Sequence, residues 1–573
     1  MMDRRTNTFA VALRFGAFCL AWTLATMLIC SPAIAGTEQA MSANAFVGSM
    51  GVNTHFAYSF SSGAYQQSNF SQINTLLIGL GIEHIRDGLT CTYANSPTGT
   101  YAAYDNEFKL LAQNGVHASL TSDPRGDSGT QTPAMAVSAI ATMNANGCGI
   151  ECVEGPNELD DAGATFSYEG AVGFPANVTL YQQQLYAAFK GNSNTKSLTV
   201  IGPSEGKTYN TGNNPNPLTP GSMYNYSDVG NFHAYSFGGN YATQHFTYDT
   251  INWYEGQADN PGINIDPDWP LDIPVAYPPF EQFNSSGTLT AQLPLWATEK
   301  GYFNGTAIES VDAVTMAKYM PRIFADDMVD GIARTYTYEL LDDSSNLGDN
   351  YGNAGLIAWN STTGTLTPKP AYYTLQHMIQ LLKDSGTSNT TSSLNYTVSC
   401  PTSSYPAPYN IKPEYGFPTT IEHLLLQKSN GTFELLLWND LSSAATADVN
   451  GNTLSGTARD IAVPTFPVTV TFTTPVNASA TFYGLDPTGT TYATTLDTTA
   501  ENITNDTITL NVPDYVTILE FTAVPEPAPI AILALGAMGV ILCRPRPAAR
   551  RNTKLTAGLS ATGPGGRAGI DFR

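Results

Sequence analysis

Between residues 45 and 385, short apolar runs alternate with segments whose apolar residues recur every three or four positions. The short runs are Val47–His55, Ile82–Leu89, Val116–Ser122, Ile150–Glu158, Leu198–Ser204, Val229–Tyr235, Leu293–Tyr302 and Ile332–Leu340, all of strand length. Helical spacing is clearest in Ser68–Leu80, where Phe70, Ile73, Leu76, Leu77 and Leu80 fall on one face. Asp105–Asn114, Pro133–Asn146, Val178–Lys190 and Ser310–Asp327 also read as helices. Eight strand-then-helix units predict an α/β fold, a (β/α)8 TIM barrel over residues 36–385, rather than a doubly wound sheet. No glycine-rich phosphate loop follows the first strand. Gly79-x-Gly81 precedes a strand, the wrong place for dinucleotide binding.

The texture changes near residue 385. Lys383–Pro408 is rich in Ser, Thr, Asn and Pro and reads as a linker. Short alternating strands follow at His423–Gln427, Phe433–Trp438, Val468–Thr473, Ala478–Tyr483, Ile508–Val512 and Val516–Phe521. They predict an antiparallel β-sandwich domain over residues 386–523. Trp438 lies inside an apolar strand, as core residues do. The sandwich therefore reads as a structural companion rather than a sugar-binding module.

The two ends read as addresses. Residues 1–35 carry Arg4, Arg5 and Arg14, an apolar run from Phe15 to Cys30, and the small-residue site Ala33-Ile34-Ala35, the pattern of a secretory signal peptide. Residues 524–551 carry Pro525-Glu526-Pro527, an apolar stretch from Ala528 to Cys543, then Arg544, Arg546, Arg550 and Arg551. This order resembles the PEP-CTERM sorting signal of Gram-negative bacteria. The resemblance implies an exosortase-type processing enzyme as partner, a transmembrane stay in the inner membrane before processing, and an exopolysaccharide setting. Sixteen largely apolar residues span a bilayer marginally, and the arginines hold their side in the cytoplasm. Residues 552–573 read as a disordered tail. The expected location is the cell envelope or the exterior.

Of 573 residues, 13% are charged, with 25 basic and 48 acidic. The two ends hold 10 of the basic and 3 of the acidic residues, so residues 36–523 carry a net charge of −30. Such a body repels phosphate backbones and excludes nucleic acid as a partner. Three of the seven cysteines lie in the terminal segments. Cys91, Cys148, Cys152 and Cys400 remain, and in an oxidising compartment they predict one or two disulfides. Cys148-x3-Cys152 approaches zinc spacing but has no His close by.

In a TIM barrel, chemistry sits at the C-terminal ends of the strands. The fourth strand ends Glu154-Gly155-Pro156-Asn157-Glu158 and the seventh runs Trp296-Ala297-Thr298-Glu299-Lys300. Glycosidic hydrolysis needs two carboxyl groups facing each other, a proton donor and a nucleophile or base. An Asn-Glu ending strand four with a Glu ending strand seven resembles the clan-A glycoside hydrolases, the 4/7 superfamily. Ile82-Glu83-His84-Ile85-Arg86-Asp87, Asn231-Phe232-His233-Ala234-Tyr235 and Pro368-Lys369-Pro370-Ala371-Tyr372-Tyr373 fit the same clan.

The resemblance implies a retaining hydrolase of β-linked polysaccharide or oligosaccharide, acting by double displacement without cofactor or catalytic metal. Glu158 would be acid then base, and Glu299 the nucleophile. Asn157 would contact the sugar 2-hydroxyl, and Arg86 would keep Glu299 ionised. Tyr235 or His233 would hold the nucleophile or touch the sugar, and Trp359 is a candidate sugar platform.

Each residue has a plainer reading beside this one. Glu158 could cap a helix, Arg86 could neutralise Asp87 or Glu83, and His233 could be a satisfied core histidine; Trp296 reads as barrel packing. Glu154, Asp160, Glu205 and Glu339 compete as acids. The connection Ser236–Gln292 spans 57 residues, carries aromatics such as Trp253 and Trp269, and has no Lys or Arg, so it is a candidate cleft wall. Gly206–Asp228 and Asp342–Trp359 are further candidates. Asp266-x-Asp268 lacks the rest of a calcium loop. Two functional alternatives stay open: a non-catalytic carbohydrate-binding or biofilm matrix protein on a degenerate barrel, and a transglycosylase using the same residues.

Overall fold

The computed structural model describes residues 36–59, 63–90, 100–125, 130–160, 166–206, 216–233, 235, 278–306, 310–348, 351–386, 390–400, 421–439, 443–445, 459–460, 462–488 and 496–524. The chain divides into two units, Met1–Ala523 and Val524–Arg573, the second described only at Val524. Residues 1–35 and 525–573, where the expected signal peptide, sorting segment and tail fall, and residues 236–277 lie outside the described residues. Among the described residues no helix is long and apolar enough to cross a membrane.

Eight parallel strands form the barrel: β1 Met50–Asn53, β2 His84–Gly88, β3 His117–Thr121, β4 Ile150–Glu154, β5 Thr199–Ile201, β6 Gly230–His233, β7 Leu295–Lys300 and β8 Arg334–Thr337. The sheet order is β6-β7-β8-β1-β2-β3-β4-β5. A parallel bridge between Ile201 and Val229 closes the ring. Helices α1 Phe70–Leu80, α2 Thr100–Gln113, α3 Pro133–Ala145, α4 Ala176–Gly191, α5 Ala313–Val329 and α6 Pro370–Leu382 surround it.

Local sequence explains their ends. α1 buries Phe70, Ile73, Leu77 and Leu80 and stops at Gly81, whose φ of 89° suits a residue without Cβ. The Thr132 hydroxyl accepts from the Met135 amide, and Pro133 opens α3. Asp312 caps α5 in the same way through the Thr315 amide.

Alternation along the strands fills the barrel from bottom to mouth. Arg334 lies 4.4 Å over the Trp296 ring and donates to Glu151 at 2.7 Å, which also pairs with His84 at 2.6 Å. Trp296 is thus barrel packing. Above this layer the Tyr336 hydroxyl meets Ser119 at 2.9 Å, and its ring occupies the space that a Cβ on Gly51 would take, 2.3 Å from Cδ1. The mouth holds Asn53, Arg86, Glu154, Asn231 and Thr298.

The sandwich has two sheets. One orders Gly36–Gln39, Ser393–Ser399, Phe466–Phe472 and Thr507–Val512; the other orders Met41–Ser42, Ile421–Gln427, Thr432–Asn439, Thr517–Thr522, Ser479–Gly484 and Asp497–Asn502. Residues 36–42, expected with the barrel, pair with sandwich strands Ser393–Ser399 and Ile421–Gln427. Ala40 sits in the sandwich core, and from Ala43 the chain turns into the barrel core. Ser393–Ser399, expected as linker, is a strand of the first sheet.

Strand Thr432–Asn439 is apolar on both faces because both are covered. Phe433, Leu435 and Leu437 join the sandwich core, while Leu436 and Trp438 join the barrel core. Lys318 of α5 bridges Asp460 at 2.8 Å and Asp514 at 3.0 Å, and Arg322 donates to the Asp514 carbonyl at 3.2 Å.

The disulfide expectation is not met: Cys148, Cys152 and Cys400 are free, buried thiols, and Cys91 lies outside the described residues. Cys148 precedes β4 and donates to the Asp105 carbonyl, whereas Cys152 faces Ser119 inside the barrel. Burial pushes both thiols up to about 12.

Truncating the fully buried Trp438 would empty the seam between the two domains. Trp438→Ala is expected to cost about 3–5 kcal/mol, measured as a lower midpoint in urea unfolding.

Candidate active site

The site is assembled around one guanidinium. Arg86 projects from β2 into the barrel mouth and is buried. All five of its N–H donors are engaged. Nε and Nη2 form a fork on Glu154 at 2.6 and 2.7 Å. Nη1 donates to Glu299 Oε1 at 2.6 Å and Asn53 Oδ1 at 2.9 Å, and Nη2 to Asn157 Oδ1 at 2.6 Å. The plainer reading of Arg86 fails, because Glu83 pairs with Lys383 and Asp87 accepts from Thr54 and from the amides of Phe56 and Ala57. Burial would lower the Arg86 pKa, but Glu154 and Glu299 more than offset it and hold the group charged.

Glu299 stands near the end of β7, where the register shifts against both β6 and β8. The shift lets Thr298 face the barrel interior and Glu299 face the mouth. Lys300 points outward to Asp327 of α5, so the neighbouring Glu299–Lys300 pair does not form. The second oxygen of Glu299 accepts from the Tyr235 hydroxyl at 2.8 Å. Burial, with Glu299 alongside, pushes the Tyr235 phenol well above its ordinary range, so it remains a donor.

Glu158 lies past the end of β4 with a φ of 48°, in the left-handed region that costs a glutamate energy. Among the described residues no helix begins there; α4 starts at Ala176. Gly206 faces its side chain, and a Cβ on Gly206 would sit 3.0 Å from the Glu158 carboxyl carbon. Asn157 is braced by Asp123, which accepts from its amide at 3.3 Å, and by Arg125, which donates to its carbonyl at 2.6 Å.

His233 joins the two halves. Its Nδ1 lies 2.7 Å from Glu158 Oε1 and 3.6 Å from Glu299 Oε2. Its Nε2 lies 3.0 Å from the Thr298 hydroxyl, whose proton goes to Asn231 Oδ1 at 2.7 Å. Nε2 therefore donates, and one proton lies between Nδ1 and Glu158. Burial would lower the imidazole pKa, but Glu299 and Glu158 raise it above the usual range. His233 is thus not a plain core histidine.

The structure brings together Glu158, Glu299, Asn157, Arg86, His233 and Tyr235. Trp359 does not join them; it lies on a hairpin after β8 and packs partly buried against the main core. The sequence reading missed the roles of Glu154, Asn53, Thr298 and Asn231. Glu154 was visible only as a competing acid, and alternation with Cys152 was the signal that it faces inward. Of the long connection before β7, residues 278–292 form a short turn and the hairpin Glu281–Phe283 with Leu289–Gln292.

Among the described residues two groups offer three metal-ligand atoms within 4.8 Å of one another: Glu158, His233 and Glu299, and His55, Glu339 and Asp343. At the first, Arg86 already supplies the positive charge to Glu299. At the second, burial with Asp343 and Asp342 nearby pushes Glu339 well above the carboxylate range.

No protein family and no curated protein matches the chain by sequence. Solved structures similar to it include a family 39 glycoside hydrolase from Bacteroides cellulosilyticus WH2, with TM-score 0.43 and 14% identity over 83% of this chain and 82% of that one. A family 30 subfamily 8 xylanase from Clostridium acetobutylicum gives 0.42 and 14% over 86% and 98%. The endo-β1,6-glucanase BT3312 gives 0.41 and 11% over 85% and 93%. Likeness of this degree carries no weight on chemistry, which rests on the geometry.

Removing the guanidinium leaves Glu154 buried without its counter-charge. Arg86→Met is expected to cost about 3–5 kcal/mol in chemical denaturation, and the added change Glu154→Gln to restore part of it.

Proposed function

We propose that this chain is a retaining glycoside hydrolase acting on a β-linked polysaccharide or oligosaccharide. The observation that carries the reading is the closeness of two carboxylates at the barrel mouth: oxygens of Glu158 and Glu299 lie within 4.8 Å, with His233 between them. Retaining enzymes hold their carboxyl groups about 5–5.5 Å apart, and inverting ones about 6.5–9.5 Å to admit a water.

The environments support distinct roles for the two carboxylates. Glu299 receives hydrogen bonds from Arg86 and Tyr235, which aim it as a nucleophile. Glu158 shares a proton with His233 and is the more exposed of the two, suited to protonating the leaving oxygen and later taking a proton from water. Attack by Glu299 on the anomeric carbon forms a glycosyl ester as the leaving oxygen takes the Glu158 proton. Water then attacks the ester, giving its hydroxyl to the sugar and one of its own protons to Glu158, and Glu299 is released as carboxylate. With Asn157 Oδ1 held by Arg86, its amide N–H groups are left to donate to a sugar hydroxyl.

We further propose that the enzyme is exported and sorted through its C-terminal segment, on the residue patterns at both ends.

The test is digestion of a panel of β-linked glycans, with the first-formed anomer read by NMR. Retention is expected, and Glu299→Gln and Glu158→Gln should each lower turnover roughly 10³-fold or more. Unchanged turnover in either folded variant overturns the assignment; no activity on any glycan favours the binding-protein alternative. Gly206→Ala, which crowds Glu158, is expected to reduce kcat roughly 10-fold or more while leaving the fold intact, checked by steady-state kinetics beside circular dichroism.

A further inference from the structure

Beside the catalytic carboxylates, where the chain leaves β1 and β8, stands a second cluster that the proposed reaction does not use. His55 follows β1, and Glu339 and Asp343 follow β8. His55 Nδ1 lies 2.8 Å from Asp343 Oδ2 and 3.2 Å from Glu339 Oε2. Glu339 is fully buried, yet neither of its carboxylate oxygens has a hydrogen-bond partner, and Asp343 Oδ1 is buried without one as well. An unsatisfied carboxylate in a dry site is costly. Lys369 relieves it only in part, through its charge: its Nζ donates to Asp342 at 2.7 Å and to the Asn353 carbonyl at 3.5 Å, and burial still outweighs it at Glu339.

We infer that His55, Glu339 and Asp343 form a binding site for one first-row divalent cation of the zinc or manganese type. Metal–ligand bonds of about 2.0–2.2 Å set ligand–ligand edges of roughly 3.0–3.4 Å, so the two nitrogen–oxygen separations need only small adjustment. One imidazole with two carboxylates favours such an ion over magnesium or calcium, which take oxygen ligands. Asp343 is about one-third exposed, which gives the ion an entry path and leaves a coordination position for water. The rival cluster of Glu158, His233 and Glu299 is a poorer host, because its acids are already partnered by Arg86, Tyr235 and His233.

The ion would tie the segment after β8 to the end of β1. The Tyr338 ring packs 5.4 Å from His55 and 6.2 Å from Tyr235, the residue that holds Glu299. The cation site and the nucleophile thus share one aromatic wall, and an ion there would fix that side of the mouth.

The test reads metal rather than turnover, so its outcome is separate from that of the hydrolase reading. Chelator-stripped full-length protein is equilibrated with Zn²⁺ or Mn²⁺ alone, and bound metal is counted by mass spectrometry alongside thermal unfolding. One equivalent and a raised melting temperature are expected. Asp343→Asn and His55→Gln should each weaken uptake by roughly 100-fold or more and abolish the thermal shift, while Glu158→Gln keeps both. Asp343→Asn lies at the rim and keeps the test open should His55→Gln fail to fold. The site is rejected by absence of stoichiometric uptake in the folded protein, by uptake unchanged in Asp343→Asn, or by uptake that depends on Glu158.

Discussion

The structure of the mouth depends on Arg86 having five donors and using every one. Its partners come from strands far apart in the sequence: Asn53 on β1, Glu154 and Asn157 at the end of β4, Glu299 on β7. A planar fork can meet these acceptors together only if the ring closes at the right diameter. Lysine, a point charge with three donors, could not span them. One cation against two carboxylates also leaves the mouth net negative. In the reaction proposed above, that residual charge would meet a developing oxocarbenium ion, and it is fixed in place before any substrate arrives.

Backbone irregularity then brings to one side of the sheet two side chains that regular alternation would set on opposite faces. On an ideal strand Thr298 and Glu299 point to opposite faces. The register shifts around β7 let Thr298 serve His233 and Asn231 inside while Glu299 reaches Arg86 and Tyr235 at the rim. Glu158 is presented by a comparable departure, a left-handed backbone conformation for a non-glycine residue. Both carboxylates are therefore held by local geometry that costs energy and that the surrounding hydrogen bonds maintain.

These features explain what could be read from the sequence. The eight barrel strands were legible because buried parallel strands are short apolar runs bounded by polar turns. Glu158, Glu299 and Arg86 were legible because each sits in a compact local pattern. Strands Ser393–Ser399 and Asp497–Asn502 were not, since they are made largely of Thr, Ser, Asn and Asp and draw their order from partner strands. Asn53 carries no local signal and Glu154 only the alternation that turns it inward; their roles exist only once closure sets them against Arg86. The cysteines misled because their even number said nothing of direction, and Cys148 and Cys152 face different compartments.

The sandwich enters the same chain of support from outside. Its sheet covers the barrel through Leu436 and Trp438, and its loops give Asp460 and Asp514 to Lys318 and a carbonyl to Arg322 on α5. Lys318, Arg322 and Asp514 are buried and Asp460 half-buried, and these charge-assisted contacts fall on adjoining turns of one helix, so α5 is held at both. α5 in turn carries Asp327, which takes the Lys300 ammonium on the outer face of β7. β7 is thus gripped on both sides, by Arg86 and Tyr235 acting on Glu299 within and by Asp327 acting on Lys300 without. A strand whose register shifts at the residue that matters most has the greatest freedom to wander, and here it has the firmest hold. That placement makes the sandwich a brace for the strand bearing Glu299, a role that needs no ligand of its own.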